Sequence, residues 1–507
     1  MAKPAYINSL PNELISSIHE EAVLTYSYAS PAPHLDSATL ASISLVCRKW
    51  RQNSLGNGKL WAAALDIDRD THTWVEEIVH RSKASPLVIN SSKGYGYRRI
   101  GDFLQNFSSQ TWQQVFKNAS LWGTFSLKTA LLNDKPNLDA LVQGLKKPTP
   151  RLESFTLCNT CQPWPYDQDA EDEQFMLPDN LFGGHAPLLK AFDVDQVFLP
   201  VSFNFSLWKN LTSLKMSQDV VGTHYDVMKW TRQNWVDILR SLKLLEHLDL
   251  RDVFETADTG SGLSNVSDVH LSHLISLTLE TTFQREAMFD VFSKIVVPST
   301  CKIWVRTFYY GHQEYPPFAF QRLKRGLDRH VKAMLADNDD PSLLMELENS
   351  LEGADFSVAI CLESDLVEDR PNGKPNFYFA QVSDAIDGTT LAPIPDHSFY
   401  QLLAALEDVP VHDLVIMGWP LIQAEDVEPL YRFFSRCQGM NTLEMEHTDL
   451  VILDILQKRQ SLQGTILLPD LQSFVYDTRF DEDLLPRLEE FRSWRESVGK
   501  LPPLFEI

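Results

Sequence analysis

Apolar positions near the start of the chain recur at helical spacing. Leu10-Pro11-Asn12-Glu13-Leu14-Ile15-Ser16-Ser17-Ile18 reads as a helix opening. Pro11 suits the first turn, where its missing N–H costs nothing. Glu13 sits where the helix dipole favours negative charge, and Leu14, Ile15 and Ile18 share one face. The small residues and prolines of Tyr26–Pro33 read as a loop. A second helix is expected through Leu40–Trp50, with a stripe of Leu40, Ile43, Val46, Cys47 and Trp50. Gly56-Asn57-Gly58 interrupts it, and Lys59–Leu65 reads as a third short helix holding Leu60 and Trp61. Three short helices in about 60 residues lie near the lower limit for an independent core. Such a module either leaves apolar surface for a second polypeptide or caps the rest of its own chain.

The period then changes. Thr73–Lys83 reads as an amphipathic linker helix and Ser85–Ile89 as a first strand. Beyond these, a segment of the form L-x-x-L-x-L recurs at Leu152–Leu157, Leu188–Val194, Leu211–Met216, Leu245–Leu250 and Leu274–Leu279. Weaker copies follow at Leu414–Met417, Met440–Met445 and Leu471–Tyr476. The early copies are spaced roughly 23 to 36 residues apart, which brackets a leucine-rich period. Period-two alternation turns Leu248 and Leu250 inward and His247 and Asp249 outward. Helical stretches at Leu138–Leu145, Trp235–Leu242 and Phe399–Leu406 precede three of the strands. Alternating helix and strand with a repeat predicts a horseshoe, with a parallel sheet inside and helices outside. Tyr315–Gly353 reads as helices with an acidic loop, and Phe356–Glu363 with Phe377–Val382 as a hairpin turning at Arg370–Pro375. Asp481–Glu496 reads as a final helix capping the array.

Composition narrows the partners. The chain has 507 residues, enough for several domains or one extended array. Its formal charge of −23 repels phosphate backbones and anionic lipid, so nucleic acid and membrane surfaces are poor partners. The cluster Arg322, Lys324, Arg325, Arg329 and Lys332 reads as the solvated face of a helix. Six scattered cysteines fit a reducing compartment rather than a disulfide scaffold. The start lacks a secretory pattern, the end lacks a prenylation box, and no segment is apolar for long enough to span a bilayer. A cytoplasmic or nuclear location is therefore expected.

Catalytic patterns are missing from the sequence. It contains no GxSxG, HExxH, phosphate loop or dinucleotide fingerprint. Cys158 and Cys161 form a lone CxxC with no partner pair at zinc spacing. His270, His273 and Asp268 lie close in sequence without a further ligand, Asp339-Asp340 lacks the spacing of a calcium loop, and Gly94-Tyr95-Gly96-Tyr97 reads as a turn. No catalytic residue, metal or cofactor is expected, although an enzyme site within Pro316–Pro395 is an alternative.

Three ordered motifs carry a family resemblance: Leu10-Pro11-Asn12-Glu13-Leu14-Ile15, then Ser44-Leu45-Val46-Cys47-Arg48-Lys49-Trp50-Arg51, then Leu60-Trp61. Together they resemble an F-box. With the repeats behind them, the chain resembles the F-box/leucine-rich-repeat proteins. The long Thr25–Ser37 connection is similar to the insertion of F-box-like proteins of higher fungi. The implied fold is α/β: an amino-terminal three-helix F-box at 1–66, a linker helix and first strand at 67–100, and a degenerate leucine-rich-repeat solenoid at 101–507, with an insertion near 315–395 and a capping helix near 481–496.

The resemblance also implies function. The chain would be a non-catalytic substrate receptor of a cullin-based (SCF-type) ubiquitin ligase, docking on a Skp-family adaptor. Carried over, the adaptor residues are Leu10, Pro11, Leu14, Ile15, Ile18, Val46, Cys47, Trp50, Leu60 and Trp61. Outward strand positions Glu153, Lys215, His247, Asp249, Ser276 and Thr278 would face an unknown protein target. The rival is a scaffold with the same domains and no ligase.

Overall fold

The structure is a computed structural model, and it describes residues 10–28, 37–65, 67, 70–91, 109–129, 135–159, 175–200, 203–218, 230–254, 263, 266–282, 284–309, 317–336, 343–349, 356–362, 377–383, 406, 409–417, 427–446, 451–458, 466–477, 484–500 and 503–506. The loop past Tyr28, the Gly94–Tyr97 turn, Cys161, the acidic loops 167–173 and 337–341, the turn 370–375 and the helix expected at 399–405 lie outside these residues. The chain divides into two units, Met1–Met228 and Lys229–Ile507.

The first unit opens with helices α1 (Asn12–Tyr28), α2 (Ser37–Leu45), α3 (Arg48–Gly56) and α4 (Gly58–Ala63). This corrects the expectation of three. The stripe from Leu40 to Trp50 is not one helix, because Cys47 is extended (φ −160°) and caps α3, its Sγ accepting from the Trp50 N–H at 3.5 Å. Asn57 separates α3 from α4 in the same manner, with its side-chain oxygen accepting from the Lys59 N–H at 3.1 Å. Each break supplies an acceptor to otherwise orphaned helix N–H groups. The first helix also runs through Tyr28, past the expected loop start.

Helix α5 (His72–Arg81) buries Val75 and Ile78 and ties the module to strand β1 (Leu87–Ser91). Trp61 meets Trp74 edge to face at 6.0 Å, and the Arg81 guanidinium lies 4.4 Å over the Trp61 ring. Gly58 is needed here: a Cβ would stand 2.3 Å from the Ser82 carbonyl oxygen.

Helix α6 (Ser109–Lys117), β2 (Trp122–Thr129), α7 (Lys135–Leu145), β3 (Ser154–Asn159), β4 (Ala191–Asp195) and β5 (Ser213–Ser217) complete the first unit. Its strands pair in parallel in sequence order. Alternation sends Phe125, Phe155 and Phe192 to one side, where their rings stack at 5.5 and 5.4 Å.

The second unit carries α8 (Arg232–Ser241), β6 (His247–Arg251), β7 (Val269–His270), β8 (Ser276–Thr281), α9 (Arg285–Phe292), β9 (Ile295–Val296), β10 (Lys302–Tyr309) and α10 (Pro317–Ala336). There follow β11 (Leu343–Asn349), β12 (Phe356–Leu362), β13 (Phe377–Ser383), β14 (Asp413–Met417), α11 (Val427–Arg436), β15 (Thr442–Glu446), α12 (Val451–Lys458), β16 (Ser473–Asp477), α13 (Leu484–Ser497) and β17 (Leu504–Glu506). The main sheet of this unit runs β6-β8-β10-β13-β12-β11-β14-β15-β16-β17 and is parallel except at β12, which is antiparallel to both neighbours.

Two expectations are corrected in this unit. Residues 343–349 form a strand, not a helix, because backbone ladders to β12 and β14 hold both its edges. The helix at 484–497 is not the last element, since β17 follows it and pairs with β16. The buried Arg495 of α13 donates to the Leu468 carbonyl at 3.0 Å, and burial lowers its pKa.

Backbone bonds repeat along both units. A turn three residues long leads into each first apolar residue: Leu152 N–H donates to Thr149 O and Leu189 to Ala186 O, as do Leu245 to Leu242 O, Leu274 to Leu271 O and Leu471 to Leu468 O. At the strand starts, two successive N–H groups share one carbonyl. Lys190 and Ala191 donate to Glu153 O, Ile275 and Ser276 to Glu246 O, and Gln472 and Ser473 to Asn441 O. At the far ends, Gln196 and Asp252 hold positive φ (57° and 51°), and their N–H groups donate to Ser217 O and Glu280 O, both at 2.9 Å. The next residues match too: Phe198 bridges Met176, and Phe254 bridges Trp230.

Candidate functional site

The helical module sorts its apolar side chains into two sets. Ile15, Leu40, Ile43, Leu60 and Trp61 are buried. The Trp61 indole N–H donates to the Ser54 carbonyl at 2.9 Å, which satisfies the one polar atom that side chain brings inside. Cross-bonds fix the helices: Ser16 Oγ donates to Asn53 Oδ1 at 3.1 Å, Asn53 Nδ2 to Asn12 O at 3.1 Å, and Lys49 Nζ to Leu10 O.

The second set faces solvent. Leu14 is 51% exposed, Ile18 40%, Leu45 75% and Val46 55%. Of the ten expected adaptor residues, Pro11, Leu14, Ile18 and Val46 are thus exposed, while Leu10, Cys47 and Trp50 are half-buried. Ile15, Leu60 and Trp61 are interior side chains that hold the module together. Leu45 was missed by the sequence reading, which assigned Val46 to a continuous helical stripe. Cysteine is not among the usual helix caps, so the bend at Cys47 left no clear signal in the sequence.

Beneath Trp50 lies His19, with ring centroids 4.8 Å apart and edge to face. His19 is fully buried, neither ring nitrogen has a hydrogen-bond partner among the described residues, and burial lowers its pKa. It is therefore a neutral core histidine.

The strand faces hold the other expected set. In the first unit, Glu153 is exposed just ahead of β3 and ion-paired with Lys190 at 2.8 Å, while Lys215 lies in register with Asp193. In the second unit, His247 and Ser276 are in register and hydrogen-bonded at 2.8 Å, and Asp249 is in register with Thr278. The register read from the sequence holds in β6: Leu248 and Leu250 are buried, while His247 and Asp249 are not. Strand β10 was missed in the sequence because Cys301-Lys302-Ile303-Trp304-Val305 lacks the leucines of its neighbours. The alternation of buried Ile303 and Val305 with half-buried Lys302, Trp304 and Arg306 was the available signal.

The remaining chemical candidates have ordinary surroundings. Asp268 pairs with Arg329 at 3.3 Å, and Arg322 pairs with Asp290 at 2.8 Å, so the basic face of α10 is partly neutralised. The Cys158 thiol donates to Asp195 Oδ2 at 3.2 Å. Burial pushes the Cys301 and Cys437 thiols up to about 12, far from thiolate chemistry at neutral pH. Among the described residues no group of three or more His, Cys, Asp or Glu side chains is placed to hold a metal. No described helix is long and apolar enough to cross a membrane.

Residues 7–64 match the family model of the F-box-like domain. No curated protein matches the chain. The amino-terminal helices are thus an F-box-like domain, a protein-interaction module, followed by mixed α/β structure with parallel strands.

Proposed function

We propose that this chain is a substrate-recognition subunit of an SCF-type, cullin-based ubiquitin ligase. Its F-box-like domain docks on a Skp-family adaptor, and the later strands bind a protein target. The observation that carries this is the exposure of Leu14, Ile18, Leu45 and Val46 on a module that encloses Ile15, Leu40, Ile43, Leu60 and Trp61. Covering a large aliphatic side chain stabilises by about 1.5–3 kcal/mol, so a partner that buries this set gains affinity without reordering the module.

The strand region is proposed to be a degenerate leucine-rich-repeat array spanning 101–507, with 67–100 as its link to the domain at 1–66. The repeated turn into each first apolar residue and the shared carbonyl at each strand start support that reading. So does the matched positive-φ pair Gln196 and Asp252. The antiparallel β12 supports an insertion near 315–395. The chain acts without a catalytic group or cofactor of its own, in the cytoplasm or nucleus.

The test is co-purification of the full chain with a Skp-family adaptor. Replacing both exposed leucines, Leu14→Asp with Leu45→Asp, abolishes the association if this face is the docking surface. Trp50→Ala is a poorer choice, because it strips the cover from His19. Unaltered binding by the double variant refutes the surface, and no binding by the wild type leaves only a scaffold.

A further inference from the structure

The sequence from Ser37 to Leu65 holds four cations, Arg48, Lys49, Arg51 and Lys59, and no carboxylate. Over the whole chain acids outnumber bases by 68 to 45, so this stretch runs against the composition. Helix α1 is the reverse, with Glu13, Glu20 and Glu21 and no Lys or Arg. Lys49 is engaged inside the module, its Nζ donating to Leu10 O. Arg48 and Arg51 differ: both are exposed, and neither guanidinium has a hydrogen-bond or ion-pair partner among the described residues. They stand three residues apart on α3 and so share one face. That face points away from α1, because Trp50 and Asn53 take the side that meets it: Trp50 lies on His19, and Asn53 bonds Ser16 and Asn12 O. Of the α1 glutamates, Glu20 accepts from Asn57, beyond the far end of α3. The exposed Leu45 and Val46 lie just ahead of Arg48, across the extended Cys47. Cations at the start of a helix oppose its dipole, and no acidic side chain stands in the first turn of α3 to offset them. Folding alone therefore gives no reason for two guanidinium groups at this place.

We propose that Arg48 and Arg51 bind carboxylates of the adaptor while its apolar side chains cover Leu45 and Val46, so that the adaptor meets α3 with an acidic segment. This rests on the ligase reading and names the chemistry of the surface that docks. Charge complementarity assigns the occupant. A basic segment would meet two unpaired guanidinium groups and find no carboxylate in α2, α3 or α4. Two copies of this face set against each other would bring guanidinium groups together with no acid between them. Phosphates also suit arginine, but a run of them is repelled by the net charge of −23. A carboxylate instead takes two parallel N–H···O bonds from one guanidinium. Exposed charges of this kind set the rate and orientation of encounter, while the covered leucine and valine hold the complex together.

The experiment immobilises the full-length protein and passes a recombinant Skp-family adaptor over it, recording association and dissociation rates as salt is raised. Association should slow as salt rises. Arg48→Glu with Arg51→Glu should slow it by about ten-fold or more at low salt, with a smaller change in dissociation. Leu45→Asp should act the other way round, chiefly on dissociation. If the double reversal fails to fold, Arg48→Gln with Arg51→Gln answers the same question with a smaller loss. Arg48→Lys with Arg51→Lys keeps the charge, and a carbodiimide should then join the new amines to adaptor carboxylates, read as cross-linked peptides by mass spectrometry. Association insensitive both to salt and to the double reversal, or cross-links at neither position, would overturn the proposal. The ligase reading survives that outcome as long as Leu14→Asp with Leu45→Asp still abolishes binding. A wild-type chain that never meets the adaptor overturns both. Tighter binding of a single-stranded oligothymidine than of the adaptor, lost in the double reversal, would assign these groups to phosphate and overturn the proposal as well.

Discussion

In the helical module, Leu14 and Leu45 face solvent, whereas Leu248, Leu250, Leu277 and Leu279 of β6 and β8 are all buried. The difference is one of geometry. A strand sends alternate side chains to opposite faces, so one side of each repeat can be wholly apolar and stacked on the next. A short helix distributes its side chains around a cylinder, and four short helices cannot enclose every apolar residue they carry. Trp61 and its neighbours take the interior of the module, and the remaining apolar residues are left outside. The proposed function uses both leftovers, the solvent-facing leucines of the module for docking and the solvent-facing polar rows of the strands for recognition.

The comparison is most easily broken inside the module. Trp61→Ala removes a buried ring, its bond to Ser54 and its contacts with Trp74 and Arg81. A loss of about 3–5 kcal/mol is expected, read by urea denaturation. If the variant unfolds at the wild-type midpoint, the module has no packed core, and the division between enclosed and exposed side chains is lost.

A middle-sized effect tests the repeat. The buried Asp252 carboxylate accepts from the Thr282 N–H at 2.6 Å, Thr282 Oγ1 at 2.8 Å and Thr281 Oγ1 at 3.1 Å. Asp252→Ala strands those donors and puts alanine at positive φ, at a cost of about 1–3 kcal/mol by thermal melting. Gln196→Ala, at the matching place in the first unit, should cost less, since the backbone N–H bond common to both positions survives and only Asp252 adds carboxylate bonds. Equal losses would mean that the Asp252 carboxylate bonds contribute nothing to stability.

That pair also shows what the sequence could and could not yield. The apolar alternation of Leu245–Leu250 and Leu274–Leu279 sets the burial of each side chain, so strands and register were legible. The likeness of Phe192-Asp193-Val194-Asp195-Gln196-Val197-Phe198 to Leu248-Asp249-Leu250-Arg251-Asp252-Val253-Phe254 was present but unread, because it depends on polar residues at a turn rather than on leucine. Strand β11 was illegible for another reason: Leu343-Leu344-Met345-Glu346-Leu347 suits helix and strand alike, and only the ladders from β12 and β14 decide it. In the module the residues of the F-box resemblance were legible as a list, but their division between interior and surface depends on how the helices pack.

A smaller effect separates the two regions by pH. His19 is neutral because burial lowers its pKa below the ordinary 6.5. A depressed folded value means that the group's contribution to stability is full above 6.5 and is lost as pH falls through the lowered folded value. The module should therefore loosen on acidification, with a change in Trp50 fluorescence at constant temperature. His19→Leu should flatten that response. If the wild-type signal holds steady well below pH 6.5, the imidazole is not enclosed as described.

The smallest effect on stability is the most informative about function. Leu45 is the most exposed of the module's large apolar side chains among the described residues, at 75%, and it ends α2 next to the bend at Cys47. Leu45→Asp removes almost no buried surface, so the melting point should hold to within about 0.5 kcal/mol. An enclosed leucine at the same substitution would leave a charge without partners, and the fold would fail. A side chain that contributes nothing to the folded chain but whose loss abolishes association acts only in the complex. Should Leu45→Asp instead lower the melting point as much as Trp61→Ala, Leu45 would be part of the chain's own core, and the module would have no apolar surface there for a partner to cover.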